Sequence, residues 1–166
     1  HVREICVIGA NGHVILDTGS VVHTGADMAK QEFVRHFATG ETAPYVSRPF
    51  EMAGYGRVIV VAIRRVDRAG AYAGVVLTVV DQGYIEEMFQ RTIDTYTEPA
   101  GRMMALRRAD GALLARYPND STTEQSPAAA VAMVRGSATV GRLVRRAGAD
   151  ERELLVTWNR VPELNL

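Results

Sequence analysis

The chain has 166 residues with 19 basic and 19 acidic side chains, so its formal net charge is zero, and 47% of its residues are hydrophobic. This balance excludes a disordered segment and a nucleic-acid binder that relies on bulk positive charge. A chain of this length buries roughly 70% of the surface that its unfolded state exposes, which is enough for a stable core. Its one cysteine, Cys6, leaves no disulfide within the chain and no cysteine-based zinc site.

Two distant parts of the sequence share one pattern, in which a short turn joins two apolar strands. The turns contain Asn11 and Gly12 in the first part and Asp110 and Gly111 in the second. Asn-Gly and Asp-Gly favour the two-residue type I′ turn of antiparallel strands. The sequence therefore predicts two β-hairpins, over residues 5–16 and 102–115.

The segment after the first hairpin carries a helical pattern followed by a long irregular stretch. Apolar residues at helical spacing predict a helix over residues 27–39, with Asp27 as its N-cap and Gly40 as its stop. Residues 41–56 are rich in Gly, Pro and aromatic side chains, and they include a short extended run that begins at Tyr45. A loop of this length usually has a function or is mobile.

Residues 57–63 and 73–80 are apolar at consecutive positions, which predicts two strands that are covered on both faces and lie at the centre of a sheet. Residues 82–93 then predict an amphipathic helix that leads out of the first module. We expect its apolar face to be buried, namely Tyr84, Ile85, Met88 and Phe89.

The remainder of the chain repeats the order of elements in a shorter form. After the second hairpin the sequence predicts a short helix over residues 127–135 and a further hairpin with strands at residues 141–146 and 153–159. The chain ends soon afterwards at Leu166, so we expect the second module to be smaller or truncated.

The order and duplication of these motifs give a resemblance to a known family. The residues that carry it are Asn11, Gly12, Phe33, His36, Phe37, the run from Tyr45 to Pro49, the run from Gly56 to Arg65, Asp67, Gly70, the run from Tyr72 to Val76, Asp81, and the run from Ala109 to Pro118. The chain resembles the tandem PAS-like extracytoplasmic sensor called a double Cache domain. The resemblance implies an α+β fold of two PAS-like modules, each an antiparallel sheet with flanking helices, over residues 1–93 and 94–166.

Domains of this family are sensory parts of bacterial transmembrane histidine kinases, diguanylate cyclases and chemoreceptors. The resemblance implies a periplasmic, ligand-sensing domain of an inner-membrane protein. It implies a small-molecule ligand such as a carboxylate, with no cofactor, no metal, no nucleic acid, and the option of a homodimer.

The sequence departs from the family in two places. A long N-terminal helix normally precedes the first strand, and we expect this stalk to be missing from the fragment. In the amino-acid-recognising branch an Arg-x-Trp-Tyr run follows the helix, whereas this chain has Val34, Arg35, His36 and Phe37 there. The resemblance therefore does not extend to an amino-acid ligand.

Six side chains of the first module are candidate ligand contacts: His36, Tyr45, Arg48, Arg57, Tyr72 and Asp81. Guanidinium groups suit bidentate binding of a carboxylate, and phenolic hydroxyls can donate to a ligand. By resemblance, the family's pocket carboxylate lies at the strand end that Asp81 occupies. We expect a small anion or zwitterion, held between residues 41–56 and the central strands.

Each candidate also has a purely structural interpretation, and both interpretations stay open at this point. The arginines can be solvated residues of a loop or strand end, and the tyrosines can close the edge of the sheet. Asp81 can be the N-cap of the helix at residues 82–93, and His36 can be a packing residue.

The sequence contains no motif of an established catalytic site, so we expect no enzymatic activity. One alternative is an interaction module that dimerises through a helix without any ligand. The other is a small enzyme that uses Tyr45, Arg48 and Asp81.

Overall fold

A computed structural model describes residues 2–95, 102–119, 139–147, 152–164 and 166. The elements of the first part are β1 (Val2–Gly9), β2 (Val14–Asp17), α1 (Glu32–Ala38), β3 (Tyr45–Val46), β4 (Phe50–Met52), β5 (Gly56–Val66), β6 (Tyr72–Asp81) and α2 (Gln82–Asp94). They are followed by β7 (Met104–Arg107), β8 (Leu113–Tyr117), β9 (Val140–Ala147), β10 (Arg152–Asn159) and a 3-10 turn (Pro162–Leu164).

The first part of the chain forms a six-stranded sheet in the order β2-β1-β6-β5-β3, with β4 also paired to β5. All of its strand pairs are antiparallel. The central position predicted for the strands at residues 57–63 and 73–80 is confirmed, because these segments lie in β5 and β6. The antiparallel α+β class is confirmed, whereas the division into two PAS-like modules stays a prediction.

The two faces of the central strands pack against different parts of the molecule. We call the side covered by α1 the front face; it carries Val58, Val60, Ala62, Val75, Leu77 and Val79. On the opposite side, the back face, Ile59 packs with Leu114 of β8 and Ile85 of α2. Ile63, further along β5, is 49% exposed. Burial on both faces is therefore confirmed only for the first half of β5.

Both predicted hairpins form, as β1–β2 and β7–β8, but their turns differ from the prediction. The N–H of Gly9 donates to the carbonyl of His13, and the N–H of Gly12 donates to the carbonyl of Gly9. The connection therefore spans three residues, with Gly12 at φ 83°. The same geometry recurs at Gly111, so each glycine supplies the left-handed residue of a three-residue loop and not half of a type I′ turn.

Helix α1 starts at Glu32, five positions after the predicted N-cap Asp27, so the predicted start is wrong. The Oδ1 atom of Asp27 accepts from the N–H of Ala29 instead. The backbone just before the helix is bonded to the first hairpin, since the N–H of Val14 donates to the carbonyl of Ala26. These bonds prevent residues 26–29 from joining the helix.

The predicted loop at residues 41–56 contains the short strands β3 and β4, which pair with successive parts of β5. The extended run at Tyr45 is thereby confirmed. Between the two strands the hydroxyl of Ser47 accepts from the N–H of Val60 at 2.9 Å. The side chain thus replaces one backbone partner where the edge strand is interrupted.

Helix α2 confirms the helix predicted at residues 82–93, but not the burial of its whole apolar face. Met88 is 45% exposed, and Tyr84, Ile85 and Phe89 are only partly buried. Ile93, one turn further on, is the buried residue of the helix. Strands β9 and β10 confirm the last predicted hairpin, and the helix predicted at residues 127–135 lies outside the described residues.

Candidate functional site

A small cavity of about 60 Å³ lies on the front face, under α1 and beside β4. It is lined by Cys6, Ile8, Val14, Val22, Met28, Gln31, Phe33, Phe50, Met52, Val60, Leu77 and Val79. All of these residues except Gln31 and Cys6 are apolar, and Phe50 is partly exposed to solvent at 39%. A cavity with these walls favours the apolar part of a ligand.

His36 and Tyr45 form an aromatic pair at the edge of the same front face. Tyr45 is buried in the apolar cluster that includes most of the residues lining the cavity. The ring centroids of the two residues lie 5.2 Å apart, and the Nε2 atom of His36 is buried with no hydrogen-bond partner among the described residues. Burial, followed by a hydrogen bond to Glu32 and its charge, raises the pKa of Tyr45 to about 12. Its phenol therefore stays a neutral hydrogen-bonding group at physiological pH.

Tyr72 packs against the same apolar cluster, near the other end of β5. The guanidinium of Arg64 lies 5.3 Å from the centroid of its ring. The hydroxyl of Tyr72 is buried and has no partner within the described part of the chain. Burial raises the pKa of Tyr72, although the charge of Arg64 opposes this shift.

Arg48 and Arg57 lie away from the cavity. Arg48 follows the interruption between β3 and β4, and its side chain is 73% exposed in a 3.5 Å ion pair with Asp110. Arg57 alternates with the front-facing Val58, which places it on the back face. There burial raises the pKa of Glu86, and the charge of Arg57 opposes this shift. Neither guanidinium lines the front-face cavity.

Asp81 has the structural role of an N-cap. Its Oδ1 accepts from the N–H of Gly83 at 2.8 Å, and its Oδ2 accepts from the guanidinium of Arg3. Burial opposes ionisation, but the hydrogen bonds from Arg3 and Gly83 and the charge of Arg3 together lower the pKa of Asp81.

Sequence reasoning missed three polar side chains on or near the front face: Glu4, Arg64 and Arg108. Glu4 could have been found, because it has the same alternation phase as the apolar Cys6 and Ile8. The other two act through contacts between distant segments, which no local pattern reveals. Among the described residues, no three His, Cys, Asp or Glu side chains converge as a metal ion would need.

The chain is similar in structure to several extracellular receptor domains. The extracellular domain of the histidine kinase rpHK1S-Z16 matches with a TM-score of 0.72 and 19% identity, over 99% of this chain and 67% of that one. An extracellular ligand-binding receptor from Desulfohalobium retbaense matches with a TM-score of 0.60 and 18% identity, over 87% of this chain and 26% of that one. The ligand-binding domain of the Pseudomonas fluorescens chemoreceptor CtaA, solved with L-valine, matches with a TM-score of 0.55 and 17% identity, over 95% of this chain and 71% of that one.

No protein-family model matches the sequence, and no curated protein is significantly similar to it. The structural matches define the fold: the chain has the Cache-like fold of extracellular sensor domains from histidine kinases and chemoreceptors. The chain spans about two thirds of the kinase domain and about a quarter of the Desulfohalobium receptor. Within the described ranges neither helix has the length and apolar character needed to cross a bilayer.

Proposed function

We propose that this chain is the extracytoplasmic ligand-sensing domain of a bacterial signal-transduction receptor, of the histidine kinase or diguanylate cyclase type. In this proposal residues 1–93 are the membrane-distal module of a double Cache domain, and residues 94–166 are the membrane-proximal one. The first module binds a small anionic or zwitterionic molecule on its front face. It does so without covalent chemistry, as a receptor and not as an enzyme.

The observation that carries the proposal is the apolar cavity between α1 and the sheet, in a fold that receptor domains use. The related CtaA domain was solved with L-valine, a zwitterion with an apolar side chain. The walls of the cavity suit such an apolar group, although a volume of about 60 Å³ admits only a short one.

The front face also carries three polar candidate residues that lie outside the lining of the cavity. His36, Tyr45 and Tyr72 belong to this face, and each offers a ring nitrogen or a hydroxyl. We propose these three as ligand contacts. The ligand roles predicted for Arg48, Arg57 and Asp81 stay predictions, and none of these three residues lines the cavity.

The back face offers a route by which ligand binding reaches the rest of the receptor. Strand β5 contributes Val60 to the cavity and Ile59 to the apolar cluster with Leu114 of β8. A ligand that shifts the front side of β5 therefore acts on the packing of the β7–β8 hairpin.

A thermal-shift screen with amino acids, short carboxylates and short amines tests the proposal. A compound present at a hundred times its dissociation constant stabilises the folded state by about 2.7 kcal/mol, which raises the Tm by several degrees. We expect at least one such compound, recovered unchanged after incubation with the protein. Absence of any shift would contradict ligand sensing, and turnover of the compound would indicate an enzyme.

A further inference from the structure

A buried carboxylate on β1 has no role in the site described so far. Glu4 is 1% exposed and shares the front face with Cys6. Its Oε1 atom accepts from Sγ of Cys6 at 3.2 Å. Its Oε2 atom is buried and has no hydrogen-bond partner in the described part of the chain. An unsatisfied buried carboxylate oxygen costs free energy, so a donor from a ligand would be favourable here.

This carboxylate lines neither the apolar cavity nor an open cleft at the end of the sheet, but it adjoins residues that line each of them. Cys6 lines the cavity, whereas Gly19 and Tyr55 line the cleft. A Cβ atom at Gly19 would lie 2.5 Å from Cδ of Glu4 and 2.5 Å from the hydroxyl oxygen of Tyr55. The absence of a side chain at Gly19 therefore leaves room for Glu4 next to the cleft.

The charges around Glu4 favour a cation at this point. The pKa of the Cys6 thiol is raised to about 12, first by burial, then by the hydrogen bond and charge of Glu4, and then by the charge of Asp17. Two carboxylates therefore act on this region. Arg3 lines the cleft, but its guanidinium donates to Asp81, through Nε at 3.0 Å. Its charge is thus paired elsewhere.

We propose that Glu4 binds the ammonium group of a small ligand through its Oε2 atom, and that the alkyl chain of this ligand fills the cavity beside Cys6. The inference rests on the proposed function and narrows its ligand class, from anionic or zwitterionic molecules to molecules that carry an ammonium group. The cavity of about 60 Å³ is several times the ~10–15 Å³ of accessible space that one water molecule requires, so a short alkyl chain fits. An ammonium group donates charge-assisted hydrogen bonds to a carboxylate, and a zwitterion also carries an ammonium group.

The first test uses the wild-type chain and three probes that differ only in their polar group. NMR titrations with n-propylammonium, propionate and 1-propanol compare a cation, an anion and a neutral molecule. We expect millimolar binding of n-propylammonium, since so few atoms contribute, and at least about tenfold weaker binding of the other two. Equal binding of all three probes, or a preference for propionate, would overturn the inference.

The second test assigns the preference to Glu4. In Glu4→Gln the preference for n-propylammonium over 1-propanol should disappear, whereas the control Glu51→Gln, which changes an exposed carboxylate on β4, should keep it. An unchanged preference in Glu4→Gln would overturn the assignment. If this variant does not fold, the comparison of the three probes on the wild type still decides whether the protein prefers an ammonium ligand.

The two proposals fail in different ways. If the screen yields a ligand but n-propylammonium does not bind the wild type, the sensor function stands and the ammonium site is wrong. If no compound binds at all, both proposals are contradicted.

Discussion

Arg108 donates a hydrogen bond to the backbone carbonyl of Val46 at 2.8 Å, which ties the β7–β8 hairpin to the edge strand β3. The two residues are 62 positions apart in the sequence. The same guanidinium lies 5.9 Å from the ring centroid of Tyr45, on the front side of β3. A single side chain therefore connects the front face with the second part of the chain.

We expect Arg108→Ala to lower the free energy of unfolding by about 1–3 kcal/mol, because the carbonyl of the buried Val46 loses a charged donor. Chemical denaturation measures the change. The matched control is Arg48→Ala, because both arginines form ion pairs with Asp110, Arg108 at 3.3 Å and Arg48 at 3.5 Å, but the Arg48 side chain is 73% exposed. Its loss should be below about 1 kcal/mol. Similar losses in both variants would mean that the contact with Val46 does not stabilise the fold.

Gly74 should tolerate substitution far less well than Gly70, although both have a positive φ. A Cβ at Gly74 would lie 1.9 Å from the carbonyl oxygen of Ile8, whereas a Cβ at Gly70 meets nothing within 4 Å. Gly70→Ala therefore adds only the left-handed backbone strain, about 1 kcal/mol. Gly74→Ala must also separate β1 from β6, and we expect it to cost at least about 2 kcal/mol more. Equal melting temperatures of the two variants would contradict this account of the β1–β6 pairing.

The stabilisation from Asp81 should disappear in acid. Its pKa is lowered in the folded state by Arg3 and Gly83, which outweigh the opposing effect of burial. The ionised form therefore stabilises the fold above the unfolded pKa of about 3.9, and this contribution is lost as the pH falls through the lower folded value. Asp81→Asn keeps a capping oxygen but loses the charge. The difference in Tm between wild type and Asp81→Asn should thus be largest near about pH 6 and shrink towards about pH 3. A difference that does not change with pH would exclude the ion pair as its source.

The sheet could be predicted from the sequence because its signals are local. Consecutive apolar residues identified β5 and β6 as central, and a glycine at each turn identified the hairpins. The start of α1 could not be predicted, because the backbone of Ala26 bonds to Val14 and Asp27 uses its carboxylate in a turn. Local propensity at Asp27 carries no information about that pairing.

The candidate site was only partly accessible to sequence reasoning. The sequence singled out His36 and Tyr45 as candidates, but it did not predict the contact between their rings, which depends on how α1 packs against β3. The faces that Arg48 and Arg57 occupy were not predicted either, because strand alternation and the interruption after β3 decide which face a side chain takes. The burial of Glu4 was not predicted, because the apolar run of the first strand begins one residue later, at Ile5, whereas β1 itself begins at Val2.

The most direct test of ligand binding in the front-face cavity is calorimetry on a variant that fills the cavity. Val22 lines the cavity and is 7% exposed, so Val22→Phe should occupy the space that the ligand needs. Ile63→Phe is the matched control, since Ile63 lies on the back face and is 49% exposed. With the compound that raises the Tm most in the screen, we predict at least about tenfold weaker binding to Val22→Phe and unchanged binding to Ile63→Phe. Unchanged affinity in a folded Val22→Phe would place the ligand outside this cavity and contradict the account.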